Sequence, residues 1–501
     1  MSQLATGWHA ARRRPWPVGE RNIWLATMAL FAPALGGLVA RWPMPTLIMF
    51  AALALFLGAA WSREFALGAI LVSSLVMLGI EYWLRLPPQA SLLTKGLIGL
   101  FVLTVVLDLG PRNPLRVPAP LIMLVAVLAL SALFGAANRF LAFQALAAYI
   151  AGPVAYVAIV HARVTIRSLR RLALIVLAIV VGQAPIVIAQ ARFAASVDNI
   201  GGTFGHLGGT SLQAVVMAFA WTIAIALLID RNRGWLLPVG LGIAAVLLIS
   251  EAKAGFLFCA LGTIVVGLTR AIANPRRALL MLSSYVAIGV AALAALFAGY
   301  IFVGSLLPGG ETMAKYWLAF LANPSAMVDY LFSYGPGGEA GRLEGVRLVL
   351  SQGRTIADLL IGRGLGLLSS SALLGQTGLS SSQFSGTFDW TTSATRSLLE
   401  TGLLGVLLYI AVIGSACRDV VRSWASRADE LGVAVGAAAV GAAAVYVAAA
   451  LYGRAWFTDA TAVLFWCLMG MAVKWGRLRR EESGRGDGFS TAAADRADLL
   501  E

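Results

Sequence analysis

The groups in this sequence with chemistry to offer are a set of arginines, a few carboxylates and one histidine, and they gather where an otherwise apolar chain is interrupted. Arg342, Arg347 and Arg354 fall in or just after Gly341-Arg342-Leu343-Glu344-Gly345-Val346-Arg347-Leu348-Val349-Leu350, where Leu343, Val346 and Leu350 follow helical spacing. This pattern predicts an amphipathic helix lying on a membrane surface. Arg347 and Arg354, seven apart, would project together, with Arg342 near the helix start. Guanidinium groups grip phosphate oxygens in pairs, which suits a diphosphate leaving group. A basic interfacial helix that binds only lipid headgroups is the plainer alternative. Arg363 follows in Leu360-Ile361-Gly362-Arg363-Gly364-Leu365-Gly366, a backbone able to bend tightly, and then a Ser/Gly-rich stretch runs to Gly386 as a substrate-admitting lid or an inert linker. Asp389 and Glu400 bracket the return to apolar sequence. Either could act as a general base, although a carboxylate near a helix start also interacts favourably with the helix dipole.

Two shorter interruptions lie upstream. Asn199-Ile200-Gly201-Gly202-Thr203-Phe204-Gly205-His206 combines tight-turning glycines with a histidine. His206 could bind a phosphate or sugar, shuttle a proton near neutral pH, or simply cap the next helix. Ser250-Glu251-Ala252-Lys253-Ala254 breaks two apolar runs, and Lys253 is either half of a pair with Glu251 or a phosphate ligand.

The elements that must position these groups are membrane helices. Of 501 residues 59% are hydrophobic and only 12% charged, with a mean hydropathy of +0.83; a soluble domain carries about 25% charged residues. The net charge of +14 is not a nucleic-acid footprint, because the basic residues sit in short loops between apolar runs. Cys259, Cys417 and Cys467 lie within or beside apolar runs and make neither a disulfide framework nor a metal site. There is no metal-ligand cluster, no Ser-His-Asp arrangement and no nucleotide-binding glycine pattern after a strand, so no metal or cofactor is expected.

A spanning helix needs about 20 apolar residues, and by that measure the chain holds about fourteen spans. They fall near residues 22–40, 43–61, 65–83, 92–109, 119–136, 140–160, 171–192, 209–229, 234–250, 254–271, 278–305, 396–416, 431–452 and 455–473. Basic residues alternate between the intervening loops. Arg112 and Arg116, Arg163 to Arg171, Arg231 and Arg233, Arg270 to Arg277, and Arg418 to Arg427 fall on one side, with few on the other. The rule that cytoplasmic loops are basic puts both termini inside. The expected organisation is a basic cytoplasmic N-terminus (1–21), eleven spans (22–305), a large outward-facing loop with short amphipathic helices (306–395), three spans (396–473) and a disordered cytoplasmic tail (474–501). The fold class is an all-α polytopic membrane protein.

The same stretches, in order, resemble the superfamily of O-antigen ligases and Wzy-type polysaccharide polymerases, over roughly residues 195–416. Gly202-Thr203-Phe204-Gly205-His206 is similar to its outward G-T-F-G-H segment. Ser250-Glu251-Ala252-Lys253-Ala254 resembles a lengthened S-R-G turn with Lys253 in place of arginine. Gly341-Arg342 with Leu360 to Gly366 is similar to its G-R and G-x-G-x-G block. Arg396-Ser397-Leu398-Leu399-Glu400-Thr401-Gly402-Leu403-Leu404-Gly405 resembles the helix start that follows. The resemblance implies a GT-C-like glycosyltransferase fold and metal-free, inverting transfer of a glycan from an undecaprenyl-diphosphate-linked donor. Lys253 and Arg342 would bind the diphosphate, with Arg347, Arg354, Arg363 and Arg396 as further substrate-binding candidates. The resemblance also implies a bacterial inner membrane, with the large outward-facing loop in the periplasm, and brings in membrane lipid, a chain-length regulator and a flippase as candidate partners. Family ligases carry a histidine just ahead of the last block, whereas this chain reads Asp389-Trp390-Thr391-Thr392-Ser393-Ala394. That departure favours a polymerase over a ligase and leaves the base among Asp389, Glu400 and His206. A flippase or transporter of lipid-linked glycan is the reading from another class, and the scarcity of charges inside the spans speaks against it.

Overall fold

The computed structural model describes residues 53–83, 92–109, 115–134, 138–193, 200–204, 209–231, 236–250, 252–273, 342–351, 355–371, 376–377, 392–424 and 430–497, with isolated positions between 283 and 325. The chain divides at Gly58 into two units, and the architecture below is that of the second, Ala59–Glu501. Its helices are α1 (Arg63–Trp83), α2 (Leu92–Asp108), α3 (Ala119–Phe134), α4 (Arg139–His161), α5 (Ile166–Phe193), α6 (Gly209–Arg231), α7 (Leu236–Ile249), α8 (Lys253–Ala273), α9 (Glu344–Ser351), α10 (Ile356–Ile361), α11 (Ser393–Ser423), α12 (Glu430–Tyr452) and α13 (Asp459–Ala497). A single 3-10 turn, Gly202–Phe204, and a two-residue antiparallel ladder of β1 (Ser370–Ser371) with β2 (Gln376–Thr377) complete the described elements.

Seven of these helices (α1, α4, α5, α6, α8, α11 and α12) contain stretches long and apolar enough to cross a bilayer, so the protein is a multi-pass helical membrane protein. Other expected spans fall on α2, α3 and α7, which are shorter, and on the first part of α13. Of the rest, 22–40 lies outside the described residues, 43–61 is described only from residue 53, and 278–305 only at isolated positions. Two expectations of extent differ from the structure. The amphipathic helix expected from Gly341 begins at Glu344, leaving Arg342 and Leu343 in the turn that leads into it. The twelfth expected span, 396–416, is part of a 31-residue helix that breaks at Gly402, where φ is 66° and ψ −172°. In addition, α13 continues to Ala497, through residues whose composition reads as a disordered tail.

Small residues set how closely the helices pack. The alanine and glycine run of α12 buries Ala434, Ala437, Ala438, Ala442 and Ala443, and Gly441 lies against Val266 of α8 and the carbonyl of Gly262. A β-carbon at Gly441 would come within 2.6 Å of Thr222 on α6. Lipid tails are as apolar as leucine, so close contact and hydrogen bonding, not burial from water, drive such association. Beside this seam Tyr149, Tyr409, Tyr446, Trp456, Trp466 and Phe465 form an aromatic cluster among the largest fully buried side chains. Its polar atoms are met internally. Tyr409 and Tyr446 share a 3.1 Å hydroxyl contact, Trp456 Nε1 donates to the Tyr446 carbonyl at 3.1 Å, and Trp466 Nε1 to Tyr409 at 3.3 Å. In a bilayer an unmet polar atom costs several kcal/mol, so the pattern is what the environment requires.

The two ends of the bundle differ in chemistry. At one, Arg63 pairs with Asp108, Arg480 donates to the Arg422 carbonyl, Tyr156 bonds Asp419 at 3.0 Å and the backbone N–H of Arg116 reaches His161 at 3.2 Å. The other end carries Lys95, Arg342, Glu344, Arg396 and Glu400, together with the loop that joins α12 to α13.

Candidate functional site

The start of α11 is fastened to that α12–α13 loop. Thr392 caps the helix, its Oγ1 accepting from Thr395 N at 3.2 Å. Ser393 donates to the Gly453 carbonyl from its backbone N at 2.8 Å and from its hydroxyl at 2.9 Å, while accepting from Trp456 N at 3.1 Å. Gly345 of α9 fits beside Thr395, where a β-carbon would stand 3.1 Å from the threonine hydroxyl. These contacts fix the first turn of α11 relative to α9 and α13.

Two turns further on, Gly402 breaks the helix and releases carbonyls that the next turn would otherwise bind. Leu399 O accepts instead from the backbone N–H of Arg363 at 2.8 Å, and Glu400 O from the Ser131 hydroxyl of α3 at 2.7 Å. Gly362, at φ +77°, packs directly on this break: its β-carbon position lies 2.5 Å from the Glu400 carbonyl and from Thr401 N. Both glycines have positive φ, which a side chain tolerates poorly. Gly366 similarly lets the 362–369 segment press on the first turn of α4, with its β-carbon position 2.6 Å from Ala142 N. Thus the two stretches 360–366 and 396–405, separate in sequence, interlock through their glycines.

A buried ion pair holds the interlock. Arg396 Nε lies 3.2 Å from Glu400 Oε2, and its Nη2 donates to Ser369 Oγ at 2.6 Å while the guanidinium rests 4.7 Å from the centre of the Phe457 ring. Glu400 is 0% exposed, and it also accepts from Leu368 N at 3.1 Å and from the Tyr149 hydroxyl at 3.4 Å. In this arrangement both residues join the 366–369 loop to α11 and α4. Glu400 thus ties an arginine to a loop.

Arg342 sits elsewhere on the same end, 4.9 Å from the centre of the Tyr452 ring at the end of α12. Phe258 of α8 meets the edge of that ring at 5.9 Å, so Tyr452 stands between Arg342 and the helix that begins at Lys253. The turn ahead of Lys253 is tight, with Ala252 N donating to Leu247 O at 3.1 Å. Arg347 lies 3.1 Å from the buried Glu344 through its Nε, while its side chain is 73% exposed. Arg363 lines a shallow pocket with Asp358, Val349, Leu350, Leu359, Leu398 and Leu399.

The G-T-F turn is a latch between α1 and α5. Gln190 exchanges two 2.8 Å hydrogen bonds with Gly202, Gln183 bonds both the backbone N (2.9 Å) and the hydroxyl (2.8 Å) of Thr203, and that hydroxyl donates to Leu75 O at 2.8 Å. His206, Arg354 and Asp389 lie outside the described residues, as does the side chain of Lys253. The sequence did not single out Tyr149, Ser369, Tyr452 or Phe457. Tyr149 had a signal to offer, a hydroxyl in the middle of an apolar span; the rings at 452 and 457 had none. Among the described residues no group of three His, Cys, Asp or Glu side chains is placed to hold a metal.

No protein-family model matches the chain, and no curated protein matches it as a relative.

Proposed function

We propose that the chain is a polysaccharide polymerase, which joins undecaprenyl-diphosphate-linked repeat units on the periplasmic face by metal-independent inverting transfer. The observation that carries the proposal is the gathering, at one end of the helix bundle, of the separate stretches that resemble polymerase and ligase motifs. Arg342 on Tyr452, α8 starting at Lys253, and the Gly362–Gly402 interlock lie at that end, although Arg342 is 89 residues and Gly402 is 149 residues beyond Lys253 in the chain.

In this reading the end of the bundle that carries Arg63, Arg116 and Arg422 faces the cytoplasm and fourteen helices span the bilayer in a GT-C-like arrangement. Arg342, with Lys253, holds the departing diphosphate. Charge that develops on a leaving group is stabilised best by donors already fixed in place, and Arg342 is fixed by its ring. The acceptor hydroxyl attacks the anomeric carbon, the bond to the diphosphate breaks, and the base takes the hydroxyl proton. Asp389 and His206 are the candidates for that base, since Glu400 is engaged by Arg396, Leu368 N and Tyr149.

Surface glycans of a strain lacking the protein test the assignment. Single repeat units on the acceptor are expected. Long lipid-linked chains that never reach an acceptor would instead indicate a ligase, and a normal ladder would remove both.

A further inference from the structure

We propose that α10 is bedded in the acyl chains of the bilayer at the site end of the bundle, as a short interfacial helix held at the hydrocarbon boundary. This goes beyond the polymerase assignment and stands whether or not that assignment does.

Three observations meet in it. First, α10 is apolar apart from Asp358: Ile356, Ala357, Leu359, Leu360 and Ile361 are all exposed, Ile356 at 80%, while Asp358 is half-buried. In water such a helix would leave a contiguous apolar surface uncovered. Secondly, that surface is continuous with one that lipid must cover. The Gly362–Gly402 contact places the end of α10 beside Leu403, Leu404 and Leu407, the exposed apolar face of a membrane-spanning helix. Thirdly, the depth agrees. A hydrocarbon core of about 30 Å is about 20 residues of helix. Counted back along α11 from Arg418, its first basic residue at the opposite end, this reaches the neighbourhood of Leu398. Arg363 N bonds the Leu399 carbonyl at that level.

The backbone is prepared for such a place. Thr355 accepts from Asp358 N at 3.0 Å, Gly362 N closes on Asp358 O at 3.0 Å, and Arg363 N is taken by α11. Irregular backbone is tolerated at membrane depth only where protein meets its polar groups. As a consequence, the pocket lined by Asp358, Arg363, Leu350 and Leu359 lies at the level of lipid headgroups. An amphiphile in that leaflet could reach both charged groups without leaving the membrane.

Spin labelling tests this, since 14 tryptophans would obscure a fluorescence measurement. The full chain carrying Ile356→Cys or Leu360→Cys is labelled with a nitroxide and reconstituted into phosphatidylethanolamine–phosphatidylglycerol vesicles. The labelled parent supplies the background from its native cysteines. Collision with oxygen should exceed collision with a water-soluble nickel chelate severalfold at both positions, as at Leu407→Cys. The order should reverse at Arg347→Cys. Nickel-dominated collision at 356 and 360 would overturn the proposal, and so would low collision with both reagents, which would mean that protein, such as a second copy of the chain, covers α10.

Discussion

Gly362 and Gly402 lie backbone to backbone: a β-carbon on Gly362 would stand 2.5 Å from the Glu400 carbonyl, and one on Gly402 would come within 2.6 Å of Gly362 N. Each glycine makes room for the other's main chain, and both take a positive φ. Alanine at either position therefore meets strain and collision together. Gly362→Ala and Gly402→Ala should each lower the thermal unfolding midpoint of the purified protein, by an amount set by about 1–3 kcal/mol of backbone strain plus the displacement of the neighbouring chain. Gly414→Ala, which meets open space on a helical stretch of α11, is the control and should not lower the midpoint, since alanine is the better helix former.

The Arg396–Glu400 pair makes a second prediction. Removing one charge from a buried pair strands the other, at about 3–5 kcal/mol, whereas replacing both with apolar groups of similar size can be nearly neutral. Glu400→Gln should destabilise the protein more than the double variant Arg396→Met with Glu400→Leu. Unfolding midpoints of the two variants decide it, and equal losses would show that the hydrogen bonds to Ser369 and Leu368 matter more than the charge.

Ser131 closes the carbonyl that the break in α11 sets free. Ser131→Ala removes this donor and leaves a buried acceptor unmet, which costs about 1–3 kcal/mol. A lowered midpoint with glycan ladders still made at permissive temperature is the expected outcome, because the hydroxyl is buried and spent on a main-chain carbonyl.

If the polymerase assignment is right, Arg342→Ala should abolish long-chain polysaccharide while the protein stays inserted and abundant. Gel analysis of surface glycans beside an immunoblot of membranes measures both. Unchanged chain length would sink the diphosphate role of Arg342.

Asp389→Asn tests the base. Turnover should fall more than donor binding, as read by single-turnover assays with a lipid-diphosphate glycan and by direct binding of that donor. Undiminished turnover would pass the role to His206.

Much of the framework was legible in the sequence because a bilayer leaves little choice: helices of the required length, apolar on all sides, with basic residues between them. The break at Gly402 was not, since nothing in Glu400-Thr401-Gly402-Leu403 distinguishes a packing glycine from one that opens the helix. What decides is Gly362, forty residues earlier, whose backbone occupies the space. Glu400 invites a reading as a base because it is a carboxylate near an apolar segment, and its surroundings are not visible in the sequence. Its three donors, Arg396, Leu368 N and Tyr149, come from three parts of the chain. Arg342 and Tyr452 illustrate the limit most simply, for an arginine in a loop invites attention in the sequence but the ring it rests on does not.

Lys95 and Asp459 meet at 3.2 Å across 364 residues of sequence. At about 5–20 residues per second of synthesis, the lysine waits roughly 20–70 seconds for its carboxylate to emerge. For that interval α2 must reside in the membrane, or beside the insertion machinery, with a cation whose eventual counter-ion does not yet exist. The order of translation therefore leaves this pair to close only when α13, the last of the described helices, arrives.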